Sequence, residues 1–295
     1  MKVFGFYISS VVLALTLVSA AHAELELCQV FSDHMVLQRD RAVPVFGIAG
    51  AAEKVAVTFA GKTLSATADA HGNWQVMLPA MSANTKGQEM TIAGSNTLTF
   101  SDVLVGDVWL CSGQSNMQMG LGGCNRKADI DSANFPGIRS FLTSNTAAGV
   151  PLKMLKGKPG WAVCNPASAG QFSAAAFYFA RKIYQETKGE IPIGLITSSV
   201  GGTTIDPWLA PEGFIDIPDL KPLFSQPALP GGPSSLYNGM IAPIAPYGIK
   251  GAIWYQGCSG EKTCQSKDSY YLKEKAIQQG WKRAFGAADF FPLKC

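Results

Sequence analysis

The sequence has 295 residues, 47% hydrophobic and 15% charged; at ~150 residues per domain that allows about two domains with real cores and excludes general disorder. With 24 Lys+Arg against 21 Asp+Glu the net charge is only +3, which excludes the concentrated basic face of a nucleic-acid binder. The 31 Gly and 17 Pro speak for turns and loops and against a coiled coil or helical repeat.

The chain opens like an address. Lys2, an apolar stretch over residues 8–18 and the small-x-small run Ala21-His22-Ala23 read as a cleavable export signal over residues 1–23, too short to span a bilayer. No later run is long enough for a transmembrane helix, so the expected mature chain starts at Glu24, carries no membrane span and is secreted or periplasmic. Cys28, Cys111, Cys124, Cys164, Cys258, Cys264 and Cys295 remain after processing. Export permits disulfides, and the odd count leaves one thiol unpaired within the chain. Cys258 and Cys264 are close enough to close a small loop, but connectivity is not fixed by sequence. No Cys/His spacing points to zinc, and no metal or organic cofactor is implied.

Residues 24–102 read as strands and turns. Val55, Val57 and Phe59 alternate with Ala56, Thr58 and Ala60, as do Trp74, Val76 and Leu78 with their neighbours, the period of half-buried strands. Asp69-Ala70-His71-Gly72-Asn73 is turn chemistry. With no helical pattern between them, these segments predict a small antiparallel β domain, sandwich-like. Near Val103 the pattern changes. Residues 105–111 form an apolar run suited to a buried parallel strand; 138–143, 193–199 and 249–256 predict three more. Ser173 is placed to cap a helix with Phe177, Ala180, Ile183 and Tyr184 on one face, stopped by Gly189. Leu272, Ala276, Ile277, Trp281 and Phe285 follow at helical spacing, and residues 290–293 open a fifth strand. Strands alternating with helices predict an α/β domain over 103–295 with a mainly parallel sheet, whose ligands bind at the carboxyl ends of the strands.

Three of those strand ends carry chemistry. The first ends in Ser112-Gly113-Gln114-Ser115-Asn116-Met117, where a serine beside free backbone N–H groups can act as nucleophile next to an oxyanion site. Met117 in the last position separates it from the Gly-x-Ser-x-Gly elbow. The third ends in Val200-Gly201-Gly202-Thr203, whose glycines let backbone approach a ligand and offer an N–H. No lysine of a phosphate-binding loop follows. The fourth ends in Trp254-Tyr255-Gln256-Gly257, whose Gln amide is a further donor candidate.

These segments, with Phe31-Ser32-Asp33-His34-Met35-Val36-Leu37-Gln38 and Tyr237-Asn238-Gly239-Met240-Ile241, resemble the sialate O-acetylesterase family of SGNH hydrolases. The resemblance covers essentially all of residues 24–295. It implies a serine esterase on a flavodoxin-like three-layer α/β sandwich, preceded by the β domain, acting on acetylated sugars or glycans. By motif, Ser115 is the nucleophile, and the Ser115 N–H, the Gly201-Gly202 turn and Gln256 are the oxyanion candidates. Asn116, Asp206 and Trp208, in the same strand-end segments, are the expected substrate contacts. Two departures stand out. Cys258-Ser259-Gly260 replaces the family's Glu-Ser-Asn. The family's Asp-x-x-His block is absent, and since it lies beyond the fifth strand, the expectation is a chain incomplete at its C-terminus. His34 and His71 both fall in the β domain. The alternatives are an acetyl-xylan-type esterase and a non-catalytic carbohydrate-binding relative.

Overall fold

The computed structural model describes residues 24–214, 217–220, 231–257, 267–286 and 292–294. The signal segment and the expected Cys258–Cys264 loop lie outside these residues.

The N-terminal region is built from β1 (Glu26–Leu27), β2 (Val36–Gln38), β3 (Val43–Ile48), β4 (Lys54–Phe59), β5 (Lys62–Thr67), β6 (Asn73–Leu78), β7 (Asn84–Ala93) and the start of β8 (Thr97–Gly113). The alternation read from the sequence is the observed one: Val55, Val57 and Phe59 of β4, and Trp74, Val76 and Leu78 of β6, are buried. Strands β1, β3 and β6 form one sheet, while β5, β4, β7 and β8 follow one another in the other. Val43, Val45, Trp74 and Val76 from the first share a core with Val55, Val57, Met90 and Ile92 from the second. Two small sheets over one apolar layer make the expected sandwich.

Strand β8 then continues, 17 residues long, into the α/β sheet. The boundary expected at 102/103 therefore falls inside a strand. After β8 come α1 (Ser115–Gln118), α2 (Lys127–Asp131), β9 (Phe135–Leu142), β10 (Trp161–Cys164), α3 (Ala174–Glu186), β11 (Ile193–Ser199), β12 (Gly251–Tyr255), α4 (Lys267–Ala284) and β13 (Pro292–Lys294). Ser173 caps α3, its hydroxyl accepting from the Ala176 N–H at 3.3 Å. The α/β sheet runs β10-β9-β11-β8-β12-β13, all parallel except β10. In chain order the parallel strands are second, third, first, fourth, fifth. A flavodoxin sheet places its first strand between the second and third; here the third, β11, lies between the second and the first, and β8 lies between β11 and β12.

Both faces of this sheet are covered: all of β11 is buried, its polar end Thr197-Ser198-Ser199 included. One face packs on α1 and α3 through Met117, Phe177 and Ala180, with Cys111, Leu195 and Ile253 from the strands. The other faces the core that continues into the β sandwich and includes Trp208, Tyr247, Trp254 and Trp281.

Candidate functional site

Strands β11, β8 and β12 end level with one another, Ser199 opposite Gly113 and Gly113 opposite Tyr255. Gly113 is required there. Its φ is +140, and a Cβ would lie 2.1 Å from the Tyr255 carbonyl oxygen. The chain turns straight into α1: the Gln114 N–H bonds the Tyr255 carbonyl at 3.1 Å, and Ser115 is the first helical residue, exposed with Asn116. Met117, buried behind them, receives the Ser173 hydroxyl at 3.4 Å. The Ser115 N–H lies in the first turn of α1, where helical N–H groups have no partner of their own.

The Gly201-Gly202 turn comes against this serine. A Cβ on Gly201 would stand 3.5 Å from the Ser115 Cβ and 3.0 Å from the Gln118 amide oxygen. That oxygen accepts the Gly201 N–H at 2.8 Å, a bond the sequence reading did not foresee, although Gln118 follows Ser115 by one helical turn on α1. Gly202 has φ +76, and a Cβ there would meet nothing within 4 Å: glycine is needed for the backbone angle, on the open side of the turn.

Gln256 is 4% exposed. Its amide nitrogen donates to the Thr203 carbonyl at 3.2 Å, and the Tyr270 hydroxyl of α4 donates to its amide oxygen. These bonds hold the turn after β11; neither goes to the Ser115 side. Thr203 is tied twice more, its hydroxyl donating to the Val200 carbonyl at 2.8 Å and accepting the Trp208 indole N–H at 3.2 Å.

The expected substrate contacts separate into three cases. Asn116 is exposed beside the serine. Asp206 is partly buried and ion-paired with Lys273 of α4 at 2.8 Å. Trp208 is corrected: it is 0% exposed. Its ring lies edge-to-face with Trp254, which packs the same way on Trp281, and the Trp281 indole donates to the Trp208 carbonyl at 3.1 Å. Burial of a large aromatic in the core outweighed the reading from position alone. Tyr237-Asn238-Gly239-Met240-Ile241 is likewise buried, as a π-helical turn. A Cβ on Gly239 would lie 2.2 Å from the Thr146 carbonyl, so that motif serves packing. Among the described residues no group of three or more His, Cys, Asp or Glu side chains is placed to hold a metal.

Neither described histidine serves Ser115. His34 Nδ1 bonds Asp102 at 2.7 Å, and Asp102 precedes Gly113 along β8 by a length on the order of 30 Å. His71 sits in the turn between β5 and β6.

Fold and site together define an α/β protein that presents an exposed serine at the carboxyl edge of a parallel sheet, against a glycine-glycine turn. Residues 105–290 match the family described as carbohydrate esterase, sialic acid-specific acetylesterase, and the chain belongs to that family. The sialate O-acetylesterase of Rattus norvegicus is 31% identical, over 88% of this chain and 58% of its own length. That of Homo sapiens is 32% identical, over 89% and 55%. The crystal structure of a carbohydrate acetylesterase from Xanthomonas citri superposes with a TM-score of 0.79 at 33% identity, covering 92% of this chain and 60% of that one. The chain thus spans little more than half the length of these relatives.

Proposed function

We propose that this chain carries the nucleophile and oxyanion site of a carbohydrate O-acetyl esterase of the sialate O-acetylesterase type. The observation that carries the reading is the approach of the Gly201-Gly202 turn to the exposed Ser115. The Ser115 hydroxyl adds to the acetyl carbonyl, and its proton passes to a base as the C–O bond forms. The charge on the carbonyl oxygen is met by the Ser115 N–H and an N–H of the Gly201-Gly202 turn. Collapse expels the sugar hydroxyl with a proton and leaves an acetyl-serine ester, which water cleaves to acetate. The acetylated sugar approaches over Asn116. The signal-like residues 1–23 support an exported, secreted or periplasmic protein.

The test is acetate release from O-acetylated sialic acid and from acetylated xylan, comparing the chain with Ser115→Ala and His34→Ala. Ser115→Ala is expected to fall to background; the loss reaches about 10⁶ only where a histidine base serves the serine. His34→Ala is expected to retain it, because His34 sits at the other end of β8. A folded Ser115→Ala protein with near-normal turnover overturns the proposal. Release from xylan but not from sialic acid reassigns the sugar. A second reading, a non-catalytic carbohydrate-binding relative, is favoured by the distance of His34 from Ser115 and by the place of His71 in the turn between β5 and β6. Binding of the acetylated sugars without any acetate release would establish it.

A further inference from the structure

The turn that faces Ser115 is held from outside as well as by its own Thr203–Val200 bond. Of its backbone groups, the Gly201 N–H is taken by the Gln118 amide oxygen at 2.8 Å and the Thr203 carbonyl by the Gln256 amide nitrogen at 3.2 Å. The two glutamines come from opposite sides. Gln118 lies on α1, in the turn that begins with Ser115. Gln256 follows β12, and its own oxygen is fixed by Tyr270 of α4. Between the two bonded positions lies Gly202, at φ +76 and open on its free side. A backbone turn fixed in place beforehand can meet a developing oxyanion without reorganising at the moment of reaction.

We propose that Gln118 and Gln256 are a pair of positioning residues that clamp the 201–203 turn against Ser115. Gln118 couples the turn to the nucleophile directly, since Gln118 and Ser115 sit on one helical turn. Gln256 couples the turn to β12 and α4. The role of the clamp in turnover rests on the esterase reading; its existence does not.

The experiment has two arms on the full chain. In the first, amide hydrogen exchange by NMR reads the Gly201 N–H. Protection is expected in the parent, a loss of about tenfold or more in Gln118→Met, and retention in Gln118→Glu, whose carboxylate keeps an acceptor at the same reach. Gln118 is exposed, so both variants are expected to keep the parent's melting temperature. In the second arm, acetyl-ester hydrolysis is split into kcat and KM. A turn displaced by a fraction of an ångström is expected to lower kcat by roughly 10–100-fold in Gln118→Met and in Gln256→Met, with KM little changed. Unchanged Gly201 exchange in Gln118→Met overturns the clamp whether or not the chain is active. A higher kcat in Gln118→Met also overturns it, since Gln118 would then be a plug occupying the Gly201 donor. Absence of activity in the parent and in Ser115→Ala alike, with Gly201 protected as expected, counts against esterase activity in this chain and leaves the clamp standing.

Discussion

At the scale of single residues, the polar chemistry away from Ser115 is structural, and His34 shows why. It sits at φ +67 beside Asp102 at φ +54, two non-glycine residues held in the left-handed region. The Asp102 carboxylate accepts from His34 Nδ1 and from Arg139, each at 2.7 Å, and the Arg139 side chain is only 5% exposed. Burial is the largest single effect on Asp102 and opposes its charge, yet the bonds from Arg139 and His34 together outweigh it and hold the carboxyl below its ordinary value. A depressed carboxyl stabilises the fold above the ordinary carboxylate range near pH 4, and that contribution is lost as pH falls through the lower folded value. Asp102→Asn keeps a side chain that tolerates a positive φ but leaves a buried guanidinium without its counter-charge. It is expected to cost about 1–2 kcal/mol at pH 7, less than for a fully buried pair because Asp102 is partly exposed. Urea midpoints of the two proteins at pH 7 and pH 3 check this: the gap is expected to narrow at pH 3. The same cluster explains why a histidine in a family-like motif need not be a catalytic base. Its type was legible in the sequence, whereas its partner, 68 residues away along the chain, was not.

At the scale of elements, β8 carries most of what could and could not be read. Residues 97–102 alternate exposed and partly covered positions, while from Val103 nearly every residue is buried. The sequence shows that change of pattern, and it reads as a domain boundary. There one strand passes from a sheet covered on one face to a sheet covered on both. Strands β4, β6 and β11 and the Ser173 cap were legible because each declares itself within a few residues. Strand β10 was not, since its four residues Trp161–Cys164 carry no alternation and it is defined by pairing with β9. The site divides the same way. Ser115 and the glycine turn follow from strand-end motifs, but the Gln118–Gly201 bond and the burial of Trp208 are long-range facts. Where β8 enters the α/β sheet, Asp107 is nearly buried and bonds Arg39 at 2.7 and 3.2 Å and Lys250 at 2.6 Å, tying the segment after β2 and the start of β12 to one carboxylate. Asp107→Asn takes the carboxylate from two cations, of which Arg39 keeps Asp40 and Lys250 is partly exposed, and is expected to cost about 1–2 kcal/mol. Chemical denaturation with an unchanged m-value is the check, and a loss under about 0.5 kcal/mol would show that the two cations find water instead.

At the scale of the whole molecule, the question is whether the β sandwich and the α/β layer are one cooperative unit. The described contacts answer for one. A single apolar core runs from Leu25 through Val105 and Tyr247 to Phe285. Strand β2 pairs in parallel with Leu104, Val105 and Gly106 of β8, beyond the expected boundary. The seam also contains polar bonds buried on both sides: the Tyr247 hydroxyl donates to the Val36 carbonyl at 2.7 Å and the Trp161 indole to the Val30 carbonyl at 2.8 Å, while Phe31 packs on Tyr247 with ring centroids 5.2 Å apart. Separation would strand those carbonyls and expose Phe31, Val36, Leu37 and Val43, a cost of several kcal/mol in apolar area alone at ~25 cal/mol per Å². A fragment of residues 24–102 is therefore expected to be unfolded, with a collapsed amide spectrum, because β2 loses its partner and the β sandwich loses the floor of its core. The chain containing both parts is expected to melt in one calorimetric transition whose van't Hoff and calorimetric enthalpies agree. Two resolved transitions, or a folded 24–102 fragment, would show instead that β8 joins two independent units and that the sequence boundary at 102/103 is a real one.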